Sequence, residues 1–345
     1  MRASADEFFM RLALAEARRG LGNVSPNPAV GAVLVQRGRV TASGYHRAIG
    51  LPHAEIECLR SAPDGSLRSA TLYVTLEPCS STGRTPPCIE AIVRAKVGRV
   101  VVGATDPNPL HSGRGMSELI AAGLKVKSGV LEAECSHLNE AFNKWIATGK
   151  PFVIVKCGMS LDGRLTRPEG EGSWLTGSTA RRHAMELRAQ VDAILIGAET
   201  LRQDNPRLTI RGIRGARQPW RVVLSRSGKL PRAAHLFTDR FAGRTLVYRR
   251  RSIAVVLADL GRREIASVLI EGGGDILGQA FDARLVDKVQ FYLAPLFTGG
   301  PVLAVGGKGA GATVEGARLA HTAFEKIGPD LCITGYPGWT KEKAE

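Results

Sequence analysis

The chain has 345 residues, 44% hydrophobic and 23% charged, with 47 Lys+Arg against 32 Asp+Glu and a formal charge of +15 at pH 7. That length exceeds one ordinary core and predicts two domains. No run approaches the roughly 18 uninterrupted apolar residues of a membrane span, and six cysteines are too few and too unevenly spaced for a disulfide framework.

Residues 1–20 carry Phe8, Phe9, Leu12 and Leu14, interrupted by Asp6, Glu7, Arg11 and Glu16. This pattern predicts an amphipathic surface helix rather than a secretory leader, and hence a cytoplasmic protein. An apolar run over 30–35, a turn at Arg37-Gly38 and a second run to Tyr45 predict two strands, followed by a helix over 53–62. A strand over 71–76, a helix over 89–95 and a strand over 100–103 complete a three-layer α/β domain assigned to residues 1–149. Gly149-Lys150-Pro151 marks a break, after which the alternation restarts. Strands over 152–156, 193–197, 221–224, 268–271 and 288–294, with helices over 180–189 and 276–283, predict a second α/β domain over residues 150–345. The Arg/Gly stretch 211–217 reads as a surface loop.

The positive excess lies mainly in the second half, where residues 151–345 hold 29 Lys+Arg against 19 Asp+Glu. Nucleic acid or phosphorylated small molecules would each account for it. The arginines are scattered, however, and Arg249-Arg250-Arg251 is the one dense run.

Pro52-His53-Ala54-Glu55 opens a helix pattern, Glu77-Pro78-Cys79 closes a strand, and Thr85-Pro86-Pro87-Cys88 opens the next helix. Singly, each of these residues has a plain reading as a capping histidine or a buried thiol. Together, one imidazole and two thiolates leave a fourth tetrahedral position for water, the arrangement of a catalytic zinc. The positive end of a helix favours the thiolate that zinc requires. Glu55, two residues past His53, is not needed as a ligand and can carry the proton between water and a leaving amine, as in the H-x-E and P-C signature of zinc deaminases. Cys58, Cys135, Cys157 and Cys332 lack such a setting and are expected to be small apolar fillers.

Zinc deaminases in general space their cysteines as P-C-x-x-C, whereas eight residues separate Cys79 from Cys88 here. That long loop resembles the pyrimidine deaminase of riboflavin biosynthesis. So do Pro26-Asn27-Pro28-Ala29-Val30-Gly31, Gly44-Tyr45-His46, Thr75-Leu76-Glu77-Pro78-Cys79 and Asp106-Pro107-Asn108-Pro109. The likeness continues past the break, so almost the whole chain resembles the bifunctional diaminohydroxyphosphoribosylaminopyrimidine deaminase and 5-amino-6-(5-phosphoribosylamino)uracil reductase family. The resemblance implies a cytidine-deaminase-like N-terminal domain that removes the 2-amino group of a phosphorylated pyrimidinone, with Asn27 and His46 on the substrate. Ser81 and Thr82 stand where the family commonly has two histidines.

In the second half no G-x-G-x-x-G opens a helix after a strand. Ile270-Glu271-Gly272-Gly273-Gly274-Asp275-Ile276-Leu277 instead reads as a strand ending in three glycines and a helix, where bare N–H groups can approach a pyrophosphate. The family resemblance implies a dihydrofolate-reductase-like α/β domain that uses NADPH to reduce the ribosyl group to ribityl. It places Gly158, Trp174, Thr200, Asp204, Gly273, Gly274, Asp275, Ile276, Leu277, Gly278 and Gln279 on the cofactor, and Arg188, Leu208, Arg211 and Glu271 on the substrate. Arg188 and Arg211 have the donor geometry of phosphate clamps, and Lys156 and Asp204 are candidates for proton handling. Gly172 stands where a substrate-contacting serine is often found, and Ser225 replaces a common aspartate. A homo-oligomer, dimer or tetramer, with no nucleic-acid or membrane partner is expected. A nucleic-acid-editing deaminase with a basic RNA-binding C-terminal domain would explain zinc and charge, but it predicts a short P-C-x-x-C and a stacking platform, and only 6% of residues are aromatic. A purely structural zinc would leave Glu55 and the open fourth position without a role.

Overall fold

Ser4 caps the first helix, α1 (Ala5–Arg18), in a reciprocal box: its hydroxyl accepts from the Glu7 N–H at 3.2 Å, and the Glu7 carboxylate accepts from the Ser4 N–H at 3.2 Å. In the computed structural model, which describes residues 4–81, 86–109, 111–165 and 174–339, the chain forms two units, Met1–Gly149 and Lys150–Glu345. The first continues with β1 (Gly31–Gln36), β2 (Arg39–Tyr45), α2 (Ala54–Arg60), β3 (Thr71–Leu76), α3 (Cys88–Ala95) and β4 (Arg99–Ala104). It ends with α4 (Arg114–Ala121), β5 (Lys125–Lys127), α5 (Glu132–Leu138) and α6 (Glu140–Thr148). The sheet order is β2-β1-β3-β4-β5, antiparallel across β2-β1-β3 and parallel across β3-β4-β5. Arg37 and Gly38 both have positive φ, 48° and 74°, and close the first hairpin as a two-residue turn pairing Gln36 with Arg39.

Two glycines bring the layers together. A Cβ on Gly31 would fall 2.1 Å from the Ala13 carbonyl of α1, and one on Gly44 would fall 2.4 Å from the Cys58 nitrogen of α2. Gly44 pairs with Ala32, the neighbour of Gly31, so the two glycines face opposite sides of the sheet. Helices α1 and α2 therefore cover opposite faces, and the domain has three layers. This contact also decides which face of α1 is buried. Met10, Ala13, Leu14 and Ala17 form its seam, whereas Phe8 is 56% exposed, because backbone-distance packing needs alanines against Gly31.

Asp6 in the first turn of α1 ties the sheet to the helix. Its carboxylate accepts from Arg99 at 2.9 and 2.8 Å, Lys127 at 2.7 Å and Tyr73 at 2.9 Å. The Arg99 guanidinium holds that carboxyl well below the usual carboxylate range. A group with a depressed folded pKa stabilises the fold above its unfolded value and ceases to do so as pH falls. Asp6→Ala is expected to cost about 2 kcal/mol at neutral pH, since it removes several hydrogen bonds to one charge. Thermal melts at pH 7 should show the loss, and melts of variant and wild type should converge in strong acid.

The second unit contains β6 (Phe152–Ser160), α7 (Ser178–Gln190), β7 (Ala193–Gly197), α8 (Ala198–Asp204), β8 (Trp220–Ser225), α9 (His235–Thr238) and β9 (Thr245–Arg249). These are followed by α10 (Ile253–Arg262), β10 (Ser267–Ile270), α11 (Gly274–Asp282), β11 (Lys288–Ala294), β12 (Arg318–Ile327) and β13 (Asp330–Gly338). Its eight strands run in the order β12-β13-β11-β6-β10-β7-β8-β9. The six from β11 to β9 are parallel, and β13 and β12 add an antiparallel edge. The central parallel strands β7 and β10 are short, fully buried and almost wholly apolar runs, as strands covered on both faces must be. The β12–β13 hairpin has no counterpart among the sequence expectations, because β12 is exposed along its length up to Ile327 and shows no buried alternation.

Candidate active sites

His53 is the N-cap of α2, Cys79 follows β3, and Cys88 is the first residue of α3. These element ends gather the three ligand atoms within 4.8 Å of one another. His53 Nδ1 lies 3.3 Å from Cys88 Sγ and 3.5 Å from Cys79 Sγ. The donor set and its compactness suit a tetrahedral zinc with one position left open. Sequence reasoning placed the helix N-terminus at Cys88 as the source of thiolate stabilisation. In the structure the Cys88 backbone N–H points instead to Cys79 Sγ at 3.3 Å. The Cys88 thiol and the His53 imidazole also favour the Cys79 thiolate, whose pKa is lowered, while that pairing and burial push Cys88 up.

Glu55 lies one helical step inside α2, 3% exposed. Burial raises its carboxyl to about 7, with the charge on Cys79 adding and His53 opposing. His46 is buried too, and burial lowers its pKa. Its Nδ1 lies 3.1 Å from the Pro52 carbonyl, which can only accept, so Nδ1 carries the hydrogen. Nε2 then accepts from Asn27 Nδ2 at 3.2 Å, which leaves the Asn27 amide oxygen as an acceptor for another group. Asn139, 110 residues away, clamps Ala29 by accepting from its N–H at 2.7 Å and donating to its carbonyl at 2.9 Å, and so fixes the Asn27 segment. Glu77 was quoted in the sequence only as part of a motif. It is buried beside Cys79 and accepts from the N–H groups of Asp106 (3.1 Å), Gly113 (2.9 Å) and Met116 (3.2 Å), binding the segment after β4 to the cysteine. The one available signal was an acidic residue at the end of an apolar strand. Ser81 lies 3.5 Å from the His111 ring, whereas Thr82 falls outside the described residues. Cys58, Cys135, Cys157 and Cys332 are buried thiols with raised pKa values, and the described metal-ligand cluster does not include them.

In the second unit a cleft of about 390 Å³ opens at the carboxyl ends of β6, β7 and β10, where open α/β sheets bind ligands. Gly158, Trp174, Thr200, Asp204, Gly273, Arg188, Leu208, Arg211 and Glu271 all line it, together with Lys156. Arg188 does not stand there as a free clamp: its Nε and Nη2 donate to Glu271 at 2.8 and 2.6 Å, and both side chains are nearly buried. Burial alone would raise Glu271, but Arg188 and Lys156 outweigh it and bring the carboxyl down to about 2.

The glycine turn divides its labour. A Cβ on Gly274 would fall 2.2 Å from the Leu303 carbonyl, and one on Gly278 would fall 2.3 Å from Gly306, so these two glycines serve packing. Leu277 is fully buried in the core. Gly273, whose N–H donates to Thr200 Oγ1 at 3.2 Å, faces the cleft, while Asp275, Ile276 and Gln279 line a neighbouring cleft. Ser225 is buried at the end of β8, and Gly172 lies outside the described residues.

Residues 151–333 match the RibD C-terminal domain, and residues 3–104 match the zinc-binding region of cytidine and deoxycytidylate deaminases. Riboflavin biosynthesis protein RibD of Synechocystis is 40% identical, over 96% of this chain and 96% of the relative, and that of Escherichia coli is 35% identical, over 95% and 98%. The chain belongs to the RibD family. A solved RibD structure from Acinetobacter baumannii superposes with a TM-score of 0.89 at 34% identity, covering 97% of this chain and 99% of the other. The RibD match runs through both units, so the chain is a bifunctional deaminase and reductase of riboflavin biosynthesis with a deaminase region of the zinc-binding type. The RNA-binding alternative finds no support, because the C-terminal half that it needed is a RibD reductase domain.

Proposed function

We propose that the first unit holds one zinc ion through His53 Nδ1, Cys79 Sγ and Cys88 Sγ and deaminates 2,5-diamino-6-(5-phosphoribosylamino)pyrimidin-4(3H)-one, and that the second unit reduces the ribosyl group of the product with NADPH. The observation that carries the first half is the convergence of those three ligand atoms within 4.8 Å, with a buried carboxyl at Glu55 two residues from the histidine. Zinc supplies a Lewis acid that makes water a nucleophile at neutral pH. Glu55 would be the group that carries a proton between water and the departing amine. Asn27, held by His46 and backed by Asn139, turns its amide oxygen to the N–H groups of the base.

In the second unit NADPH supplies the hydride. The chain would contribute orientation: Thr200 and Gly273, hydrogen-bonded to each other at the start of α11, would hold the dinucleotide, and Asp204 lines the same cleft. With Arg188 committed to Glu271, the substrate phosphate falls to Arg211 and Lys156. The protein is proposed to work in the cytoplasm, and among the described residues no helix is long and apolar enough to cross a membrane. The exposed edge strand β12, with Phe324 67% exposed, supports a homo-oligomer, dimer or tetramer, to be read by sedimentation.

One coupled assay tests the whole reading. With the diaminopyrimidinone phosphate and zinc, ammonia should be released first, and NADPH should be consumed only after deamination. Chelation should stop ammonia release yet leave NADPH binding intact. NADPH oxidation on the amino substrate before any ammonia appears would overturn the order of the steps.

A further inference from the structure

The loop that follows α8 forms one wall of the reductase cleft, with Asn205, Arg207, Leu208 and Arg211 all lining it. Two of these residues have left-handed backbone, Asn205 with φ 38° and Leu208 with φ 49°. Asparagine tolerates that region, but a leucine keeps it only where its surroundings impose it. The Leu208 side chain is buried as well, so backbone and side chain are both fixed.

What imposes that conformation lies beneath the cleft. Arg221, the second residue of β8, is 1% exposed, and its guanidinium reaches three separate places. It donates to the Asp239 carboxylate, just after α9, at 2.7 and 2.9 Å, to the Leu236 carbonyl within α9 at 2.9 Å, and to the Arg207 carbonyl at 3.2 Å. Arg207 immediately precedes Leu208, so the last of these bonds fixes the peptide about which the left-handed turn is made. Two further contacts hold the loop on either side. Asn205 Oδ1 accepts from the His235 N–H at 2.9 Å, and Gln218 clamps Ile210 by accepting from its N–H at 2.8 Å and donating to its carbonyl at 3.1 Å. The Arg221–Asp239 pair is a costly way to stabilise a fold. The guanidinium gives up its hydration, and its Nε has no hydrogen-bond partner among the described residues. Apolar side chains of similar volume would join β8 to α9 as well or better, but they could not hold the Arg207 carbonyl.

We propose that Arg221 is a positioning residue of the reductase: through the Arg207 carbonyl it sets Leu208 and Arg211 where they meet the phosphorylated pyrimidine. Being wholly buried, it touches neither substrate nor cofactor. The proposal rests on the reading above that Leu208 and Arg211 contact the substrate. Steady-state reduction of the deaminated product by the full chain tests it, with NADPH titration by calorimetry, ammonia release and a melt on the same preparations. Arg221→Lys keeps a charge beside Asp239 but lacks the fork that also spans the Arg207 carbonyl. The double variant Arg221→Met, Asp239→Leu replaces the pair by apolar groups and should melt at or above the wild-type temperature. Both should lower kcat/KM for reduction about ten- to hundredfold, the scale of a substrate contact misplaced by about an ångström. The larger part should fall on KM, while NADPH affinity and ammonia release stay at wild-type values. Arg211→Ala serves as the reference for a lost substrate contact. An unchanged KM in a folded Arg221 variant, beside a raised KM in Arg211→Ala, overturns the positioning role and leaves the substrate reading intact. An unchanged KM in Arg211→Ala overturns that reading and the positioning role with it. Arg221 variants that all melt early and lose NADPH and substrate binding together make the pair purely structural, and this too overturns the proposal.

Discussion

Glu55→Gln is expected to lower ammonia release by about 10²- to 10⁴-fold, the range attributed to a positioned general acid and base, with zinc content unchanged. The carboxyl lies 3% exposed at the start of α2, on the same helix end that presents His53, and the metal-ligand cluster is complete without it. Glutamine keeps the shape and removes the transferable proton, so a large rate loss with full metal occupancy separates proton transfer from metal binding. Burying a carboxyl is costly, and its raised pKa of about 7 records that cost. The variant should therefore melt at the same temperature as wild type or higher, the pattern of a residue kept for chemistry rather than stability. Atomic absorption for zinc, a melt and an ammonia assay on one preparation decide it. An unchanged rate would remove Glu55 from the mechanism.

Glu271→Ala should damage the second unit twice. The Glu271–Arg188 pair is bidentate and almost wholly buried, with side chains 8% and 12% exposed. Loss of one partner strands a charge, which costs about 3–5 kcal/mol for a buried pair. For a unit of this size that corresponds to a fall of roughly 6–12 °C, taking the lower end because Arg188 still reaches the cleft. Reduction should be lost, since Arg188 and Lys156 would both be released from their common counter-charge. Glu271→Gln, which keeps one hydrogen bond but leaves the Arg188 charge uncompensated, should recover only a small part of the melting temperature and little of the reductase rate. The pair has its own pH window. With a folded pKa of about 2 against an ordinary 4.5, Glu271 contributes fully above the ordinary value and progressively loses that contribution as pH falls towards 2. Wild type and Glu271→Ala should accordingly converge in stability below about pH 2. If the variant melts with wild type at pH 7, the ion pair is not a source of stability.

The difference between the two sites lies in how much of each is local. His53 with Glu55, and Cys79 and Cys88 at element ends, are legible because helix starts and strand ends have their own sequence marks, and because the ligand types with their spacing define zinc chemistry. Residue types could not reveal that Asn139 clamps Ala29 across 110 residues, or that Glu77 gathers three N–H groups from the segment after β4. Nor could they show that the N–H of Cys88 serves the sulfur of Cys79. In the reductase the glycine turn was visible, but its glycines look alike in sequence. Only packing separates Gly273, open to the cleft, from Gly274 and Gly278, pressed against residues 303–307.

The sequence by itself determined the two α/β units, the candidate metal cluster of His53, Cys79 and Cys88 with an acid two residues past the histidine, and the family, because hydrophobic period and ligand spacing act over a few residues. The tertiary structure alone decided that Arg188 is bound to Glu271 rather than free for phosphate, that Met10 and the alanines rather than Phe8 face the sheet, and that Arg221 reaches the Arg207 carbonyl. Each of these depends on how close two distant backbones come, and that distance is set by the packing of whole layers.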